Sequence, residues 1–358
     1  NFSDIYNNIG KANSIASLLV YDTGKNSSNS RNVKITEPKS YVSGKPILGV
    51  IGAGNFTGSM ILPKLKAAGA QIKSIASSKG LSGSIQAKKH DIENSSTDYK
   101  GIIADSEINT VFVTTQHGSH SKFVSEALEY NKYVFVEKPL STTWEGLKKV
   151  ELALEKSNGW VTVGFNRRFA PLAVKLKKYL SPAPMNIIAT MNAGYIPPEV
   201  WVHNIKAGGG RIIGEACHFI DLCNYLTSSK VVEVCMNSLG PNAQANTDNA
   251  SILLKYDNGS NAVINYFSNG SKTYSKERIE VHQQNSTLVL DNWRKLTGFG
   301  VRGFKSKRLK QDKGHFNQFK QLLESVENTS GPTIPWEDVL NTSKATLAAV
   351  DSLIQGKW

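Results

Sequence analysis

The chain has 358 residues, of which 40% are hydrophobic and 20% charged, enough for two globular domains with cores of their own. No apolar run is long enough to span a bilayer and no signal-peptide pattern appears, so the sequence reads as cytoplasmic, with no membrane partner. Lys and Arg outnumber Asp and Glu by 42 to 29, a formal charge of +13, which fits a solvated basic surface or attraction of phosphorylated ligands.

In chain order, 5–16 reads as a short helix, 16–21 as a strand and 23–30 as linker. The texture changes at 47–51, a continuous apolar run of the kind that forms a strand buried on both faces. The turn Gly52-Ala53-Gly54-Asn55-Phe56-Thr57-Gly58 follows, and helical spacing resumes over 59–68. In this strand–turn–helix setting, glycines permit a tight turn and close approach of backbone to a pyrophosphate. The helix start adds free N–H groups and a positive dipole end. Gly58 stands one place beyond the commonest spacing, with Thr57 in its stead, and a turn that merely joins strand to helix is the plain alternative. The next strand, 71–76, ends in Ser77-Ser78-Lys79 without the carboxylate that would hold a ribose 2′-hydroxyl. Hydroxyls with a lysine favour NADP over NAD, unless Lys79 is only a solvated loop cation.

Strands at 110–115, 133–136 and 160–164 alternate with helices at 122–130 and 144–156, the pattern of a parallel, doubly wound sheet. Beyond Arg168 the strand-like runs are 185–193, 231–236, 250–256, 261–267 and 276–281. Turn chemistry at Asp257-Asn258-Gly259-Ser260 and Ser268-Asn269-Gly270-Ser271 separates several of them, and one helix, 218–226, interrupts. The expected fold is an α/β Rossmann dinucleotide-binding domain plus an α+β domain with a large, mainly antiparallel open sheet. The divisions are 1–44 (extension and linker), 45–165 (NAD(P)-binding), 166–314 (substrate and oligomerisation) and 315–358 (C-terminal helices). An uncovered sheet face must pack against something, which predicts a homodimer or homotetramer. Cys217, Cys223 and Cys235 are too few and wrongly spaced for a zinc site or a disulfide framework, so no metal is expected. The basic cluster from Arg302 to Lys313 lacks any zinc-finger or RNA-binding signature, and no nucleic-acid partner is expected.

Val136-Glu137-Lys138-Pro139-Leu140, downstream of the glycine turn, resembles the Gfo/Idh/MocA family of sugar and cyclitol oxidoreductases. Residues 114–120 (Thr-Thr-Gln-His-Gly-Ser-His), 164–169 (Gly-Phe-Asn-Arg-Arg-Phe), Gly208-Gly209-Gly210 and 214–221 (Gly-Glu-Ala-Cys-His-Phe-Ile-Asp) extend that resemblance in the family's order. The stretch 209–219 is similar to the C-terminal half of bacterial two-domain oxidoreductases, in which a zinc-alcohol-dehydrogenase-like half precedes this one. Residues 1–22 would then be the tail of a covalently fused N-terminal domain.

The resemblance implies NAD(P)-dependent hydride transfer to or from a secondary alcohol of a sugar, nucleotide sugar or cyclitol, neutral or anionic. The alternative is a nucleotide-binding regulatory or scaffolding module with lapsed catalysis. Such chemistry needs a base for the hydroxyl proton and a cation near the developing alkoxide. Lys138 fits the cation, with a cis peptide before Pro139 implied; pairing only with Glu137 is its plain role. His218 fits the acid/base, against a plain helix-start histidine capped by Asp221. Where the family commonly has an aspartate four places before this histidine, the chain has Gly214, and Glu215 is the shifted candidate to orient His218 or assist the substrate. The cofactor-binding set is Gly52, Gly54, Asn55, Phe56, Thr57, Ser77, Ser78, Lys79, Thr115, Gln116, His120, Glu137 and Lys138. Asn166 and Arg168 would meet substrate, Arg168 by gripping an anion, while Arg167 pairs across the domain interface. Trp201 and His203 would form a sugar-stacking wall, although Trp201 suits core packing equally well. His117 is expected in solvent, and His90, His282 and His315 carry no functional mark.

Overall fold

The computed structural model describes residues 31–42, 44–242 and 244–356. The helix and strand expected over 5–21 lie outside these residues.

The first sheet has seven strands: β1 (Asn32–Lys34), β2 (Ile47–Ile51), β3 (Gln71–Ala76), β4 (Asn94–Ser96), β5 (Thr110–Val113), β6 (Tyr133–Val136) and β7 (Trp160–Val163). Their order is β1-β4-β3-β2-β5-β6-β7. All neighbours are parallel except β1, which runs antiparallel to β4. Every residue of β2 and β5 is buried, as continuous apolar runs between two helical layers require. Part of the expected linker is thus an edge strand. Behind it Tyr41 donates to Glu93 Oε2 at 2.9 Å.

The second sheet has eight strands: β8 (Asn186–Asn192), β9 (Val231–Ser238), β10 (Asn249–Tyr256), β11 (Asn261–Phe267), β12 (Glu277–Gln283), β13 (Ser286–Asp291), β14 (Lys295–Phe299) and β15 (Ser306–Arg308). They run β15-β14-β13-β12-β8-β11-β10-β9, antiparallel apart from the pair β8 and β11. Strict alternation of buried and less buried residues along β11 and β12 marks a sheet with one face on the core and one outward. The helix Cys217–Thr227 lies on the inner face and is buried along nearly its whole length. The helix Trp336–Gln355 packs on it and on β9.

The other terminal helix, His315–Glu327, returns to the first sheet. Its Phe319 is fully buried and meets Phe112 and Phe135 edge-on, at 5.9 and 5.4 Å between ring centroids. By packing, this helix completes the layer over the dinucleotide-binding sheet rather than forming a separate C-terminal unit.

Two single turns of π-helix interrupt the chain, Thr57–Ile61 after the glycine turn and Ile212–Ala216 before the helix Cys217–Thr227. Such bulges re-aim side chains and concentrate at functional sites. Both of these border the same cleft.

Candidate active site

A cleft of about 1430 Å³ opens between the C-terminal ends of the parallel strands and the inner face of the second sheet. Open α/β sheets place their ligands at this end of the strands.

The glycine turn forms one wall. Gly52 donates to the Ala76 carbonyl at 2.9 Å and has φ +113°, a conformation that favours glycine. A Cβ there would stand 2.7 Å from the Thr114 backbone, whereas one on Gly54 would meet nothing within 4 Å. The first glycine therefore closes the turn on the protein side and the second leaves the ligand side open. Thr57 cross-ties the ends of β2 and β5 by donating to Thr114 Oγ1 at 2.9 Å. Further along, Ser77, Ser78, Ser82, Thr97 and Tyr99 line the cleft. Ser77 Oγ accepts from the Gly83 N–H at 3.0 Å, beside the first turn of the helix Leu81–His90. Lys79 is exposed and is not among the cleft-lining residues.

At the other end stand Glu137, Lys138, Glu215 and His218. The Lys138–Pro139 peptide is cis, as the resemblance implies. Lys138 Nζ donates to the Gly214 carbonyl at 2.6 Å, so the lysine is anchored on backbone rather than on Glu137. Burial pushes the Glu137 carboxyl up to about 7, against the opposing pull of Lys138. His218 is 6% exposed, and its Nδ1 is buried without a hydrogen-bond partner. Burial holds its pKa well below the ordinary histidine value, and the nearby Arg167 and Lys138 charges push the same way. The imidazole is therefore neutral near pH 7 and able to accept a proton.

Neither expected partner touches that ring. Asp221 receives a bidentate pair from Arg168, at 3.0 Å from Nε and 2.7 Å from Nη2. Glu215 accepts from Arg211 Nε at 3.1 Å and from the Tyr266 hydroxyl at 2.8 Å. Burial opposes the Glu215 charge, but Lys138, Arg211 and Tyr266 outweigh it and keep the carboxyl below its usual range. Arg211 and Tyr266 went unnoticed in the sequence because they meet Glu215 from one turn before it and from β11.

Gly214 has a steric reason. A Cβ there would lie 2.7 Å from His117 Cε1. His117 is not in solvent; it is 9% exposed and lines the cleft. It donates from Nδ1 to the Gly208 carbonyl at 2.8 Å, with its ring edge-on to Trp201 at 4.8 Å. Burial, aided by Lys138, pushes its pKa down to about 3.

Other expected positions divide. Thr115, Gln116, Asn166 and Trp201 line the cleft with Asn55, Phe56 and Thr57. His120 does not, because it is fully buried with both ring nitrogens against the carbonyls of Pro139 and Thr115. His203 faces the Ile196 carbonyl at 3.2 Å and is also off the cleft. Arg168 is no anion grip, since Asp221 and Asp338 occupy its guanidinium inside the fold. Arg167 pairs with Glu277 across the domain junction, as expected, and borders the cleft as well. His315, which carried no mark in sequence, lies there beside Phe56 at 6.2 Å between ring centroids. Among the described residues there is no cluster of side chains able to hold a metal, and no helix is long and apolar enough to cross a membrane.

With this geometry in hand, comparison with known proteins is informative. Residues 48–165 match the oxidoreductase family with an NAD-binding Rossmann fold, and 184–289 match the GFO/IDH/MocA C-terminal domain. The chain is 26% identical to the oxidoreductase YrbE of Bacillus subtilis, over 78% of this chain and 83% of that protein. It is 24% identical to the myo-inositol 2-dehydrogenase of Thermotoga maritima, over 70% and 79% respectively. Its fold superposes on levoglucosan dehydrogenase in complex with NADH and levoglucosan with a TM-score of 0.75, at 20% identity, covering 87% of this chain and 98% of that one. Both halves of the chain thus carry the marks of one family: the protein belongs to the GFO/IDH/MocA oxidoreductases and is an NAD(P)-dependent dehydrogenase/reductase.

Proposed function

We propose that this enzyme transfers a hydride to or from a secondary alcohol of a sugar-type or cyclitol substrate, held between Lys138 and His218. The observation that carries the reading is the neutral His218, which lines the same cleft as the anchored Lys138 and has one ring nitrogen buried and unpartnered. The site residues suit a dinucleotide. The open side of Gly54 and the N–H groups of Asn55 to Thr57 would hold its pyrophosphate. Thr115, Gln116 and Glu137 would flank the nicotinamide end. When bound, the cofactor supplies the hydride acceptor or donor.

The chain's own residues handle the proton and the charge. His218 takes the hydroxyl proton in the oxidative direction and returns it in the reductive one. The Lys138 ammonium stabilises the developing alkoxide, and its bond to the Gly214 carbonyl fixes where that charge is met. Arg211 and Tyr266 position Glu215 as an ionised acceptor for a neighbouring substrate hydroxyl. With no carboxylate among Ser77, Ser78, Ser82 and Thr97, nothing on this wall repels the 2′-phosphate of NADP, and the preference for NADP rests on that absence, since Lys79 lies off the cleft. The outward row Leu253, Val263, Ile188, in register across β10, β11 and β8, supports self-association as a homodimer or homotetramer.

The decisive test combines titration with NAD(H) and NADP(H) and turnover of His218→Ala on polyol substrates. The expected result is cofactor binding near the wild-type level with turnover reduced by a factor of about 10² to 10⁴. Undiminished turnover would refute the acid/base role, and failure of all four cofactor forms to bind would refute the reading as a whole.

A further inference from the structure

The second-domain wall of the cleft carries positive charge that hydride transfer to a neutral polyol does not need. Arg167, Lys276 and Lys313 line the cleft together with His218. Glu277 is the carboxylate set among them, and it is fully buried. Its Oε1 accepts from Arg167 Nη2 at 3.1 Å and from Lys313 Nζ. Its Oε2 accepts from Trp293 Nε1 at 2.7 Å and from Arg167 Nε at 3.4 Å. Burial opposes this carboxylate, but Arg167 and Lys313 outweigh it and hold its pKa at about 2. One negative charge is thereby shared between two cations.

Lys276 is a third. It precedes β12, is exposed, and lies close enough to Lys313 to disfavour that residue's charge. It forms no ion pair among the described residues. Asp312 also lines the cleft, its Oδ1 accepting from the Gly314 N–H at 2.8 Å, and its carboxylate offsets one of these cations. The field of Arg167 and Lys313 reaches His218, so these two cations stand at the reacting end of the cleft rather than at the adenosine end. On the opposite wall Lys138 is already balanced by the ionised Glu215. A fixed positive excess on a concave wall raises the local concentration of anions and orients them. Arg167, Lys276 and Lys313 against Glu277 and Asp312 leave a net charge of +1 on this wall, which matches a singly charged group.

We infer that the cleft takes a polyhydroxy acid of the uronate class, its carboxylate met by Lys276 and Lys313 while a secondary alcohol lies between Lys138 and His218. This rests on the dehydrogenase reading above and narrows its substrate.

The test titrates the NAD(P)H complex with D-glucuronate, D-galacturonate, D-glucose and D-glucose 6-phosphate by calorimetry, for the wild type and Lys276→Gln. Lys276 is on the surface, so its replacement leaves the fold intact. A uronate is expected to bind at least about tenfold tighter than glucose, and Lys276→Gln to remove about that factor, as for a hydrogen bond to a charged group. The cofactor Kd should not move. Equal binding of glucose and the uronates overturns the inference, as does uronate affinity indifferent to Lys276→Gln or no saturable uronate binding at all. Preference for glucose 6-phosphate overturns the carboxylate assignment. Weaker NAD(P)H binding in Lys276→Gln assigns the cations to the cofactor and also overturns it. Absence of any cofactor binding is a different failure, that of the dehydrogenase reading.

Discussion

Gly214→Ala adds one methyl group where His117 already fills the space. The new Cβ would lie 2.7 Å from His117 Cε1 and 3.0 Å from Nδ1, against ordinary contacts of 3.4 Å and more. The ring cannot retreat freely, because its Nδ1 is bonded to the Gly208 carbonyl at 2.8 Å and Trp201 lies against it. Overpacking of this kind costs about 1–3 kcal/mol, and loss of the Nδ1 bond about 0.5–1.5 kcal/mol more. Position 214 lies in a helical turn with ordinary backbone angles, so alanine recovers about 1 kcal/mol of propensity. The net expectation is a loss of about 1–3 kcal/mol in wild-type background. With His117→Ala the obstruction is gone, and the same change should be neutral or stabilising. Urea denaturation followed by tryptophan fluorescence on the four proteins measures the coupling, expected at about 2–3 kcal/mol. Equal costs in both backgrounds would show that the ring is not what excludes a side chain at 214.

Glu137→Gln tests the buried carboxyl beside Lys138. Its folded pKa of about 7 exceeds the ordinary 4.5, so the folded state holds the proton more tightly. That stability is complete below pH 4.5 and is lost as pH rises to 7, by about 3 kcal/mol. Urea midpoints across this window should fall in the wild type relative to the variant; parallel curves would remove the shift. Ser78→Asp places a carboxylate on the hydroxyl-lined wall and should turn cofactor preference towards NAD by about tenfold or more, read from the two Kd values. Leu253→Glu charges an outward residue that is 46% exposed on β10, beside the edge strand β9 of the second sheet. Sedimentation should show a smaller species with unchanged circular dichroism, and an unaltered assembly would move the interface elsewhere.

The sequence was most legible where one physical constraint dominated. Strands buried on both faces, such as β2, β5 and β6, announce themselves as unbroken apolar runs. The polar β4, Asn-Ser-Ser, and the exposed edge β15, Ser-Lys-Arg, carry no such signal and were missed. The short mixed strands β13 and β14 were missed for the same reason. In the cleft, Gly52, Lys138, Glu215 and His218 were found through local motifs, and the structure brings them together. His117, His315, Lys276 and Glu277 were not, since each reaches the cleft through the meeting of distant segments. Arg168 shows the opposite limit. An arginine at a domain junction serves an anion or a buried ion pair equally well by composition, and only the positions of Asp221 and Asp338 decide.

Phe319 seals Phe112 and Phe135, yet it comes from a helix made after every strand of the second sheet. A nascent chain ending near residue 165 holds every strand of the first sheet and still shows a stack of aromatic rings to water. The dinucleotide-binding unit therefore matures late, after translation has delivered the last helices, although it lies early in the chain. A truncation at the apparent domain boundary is therefore expected to expose these rings and to give an aggregation-prone fragment rather than an independent nucleotide-binding domain.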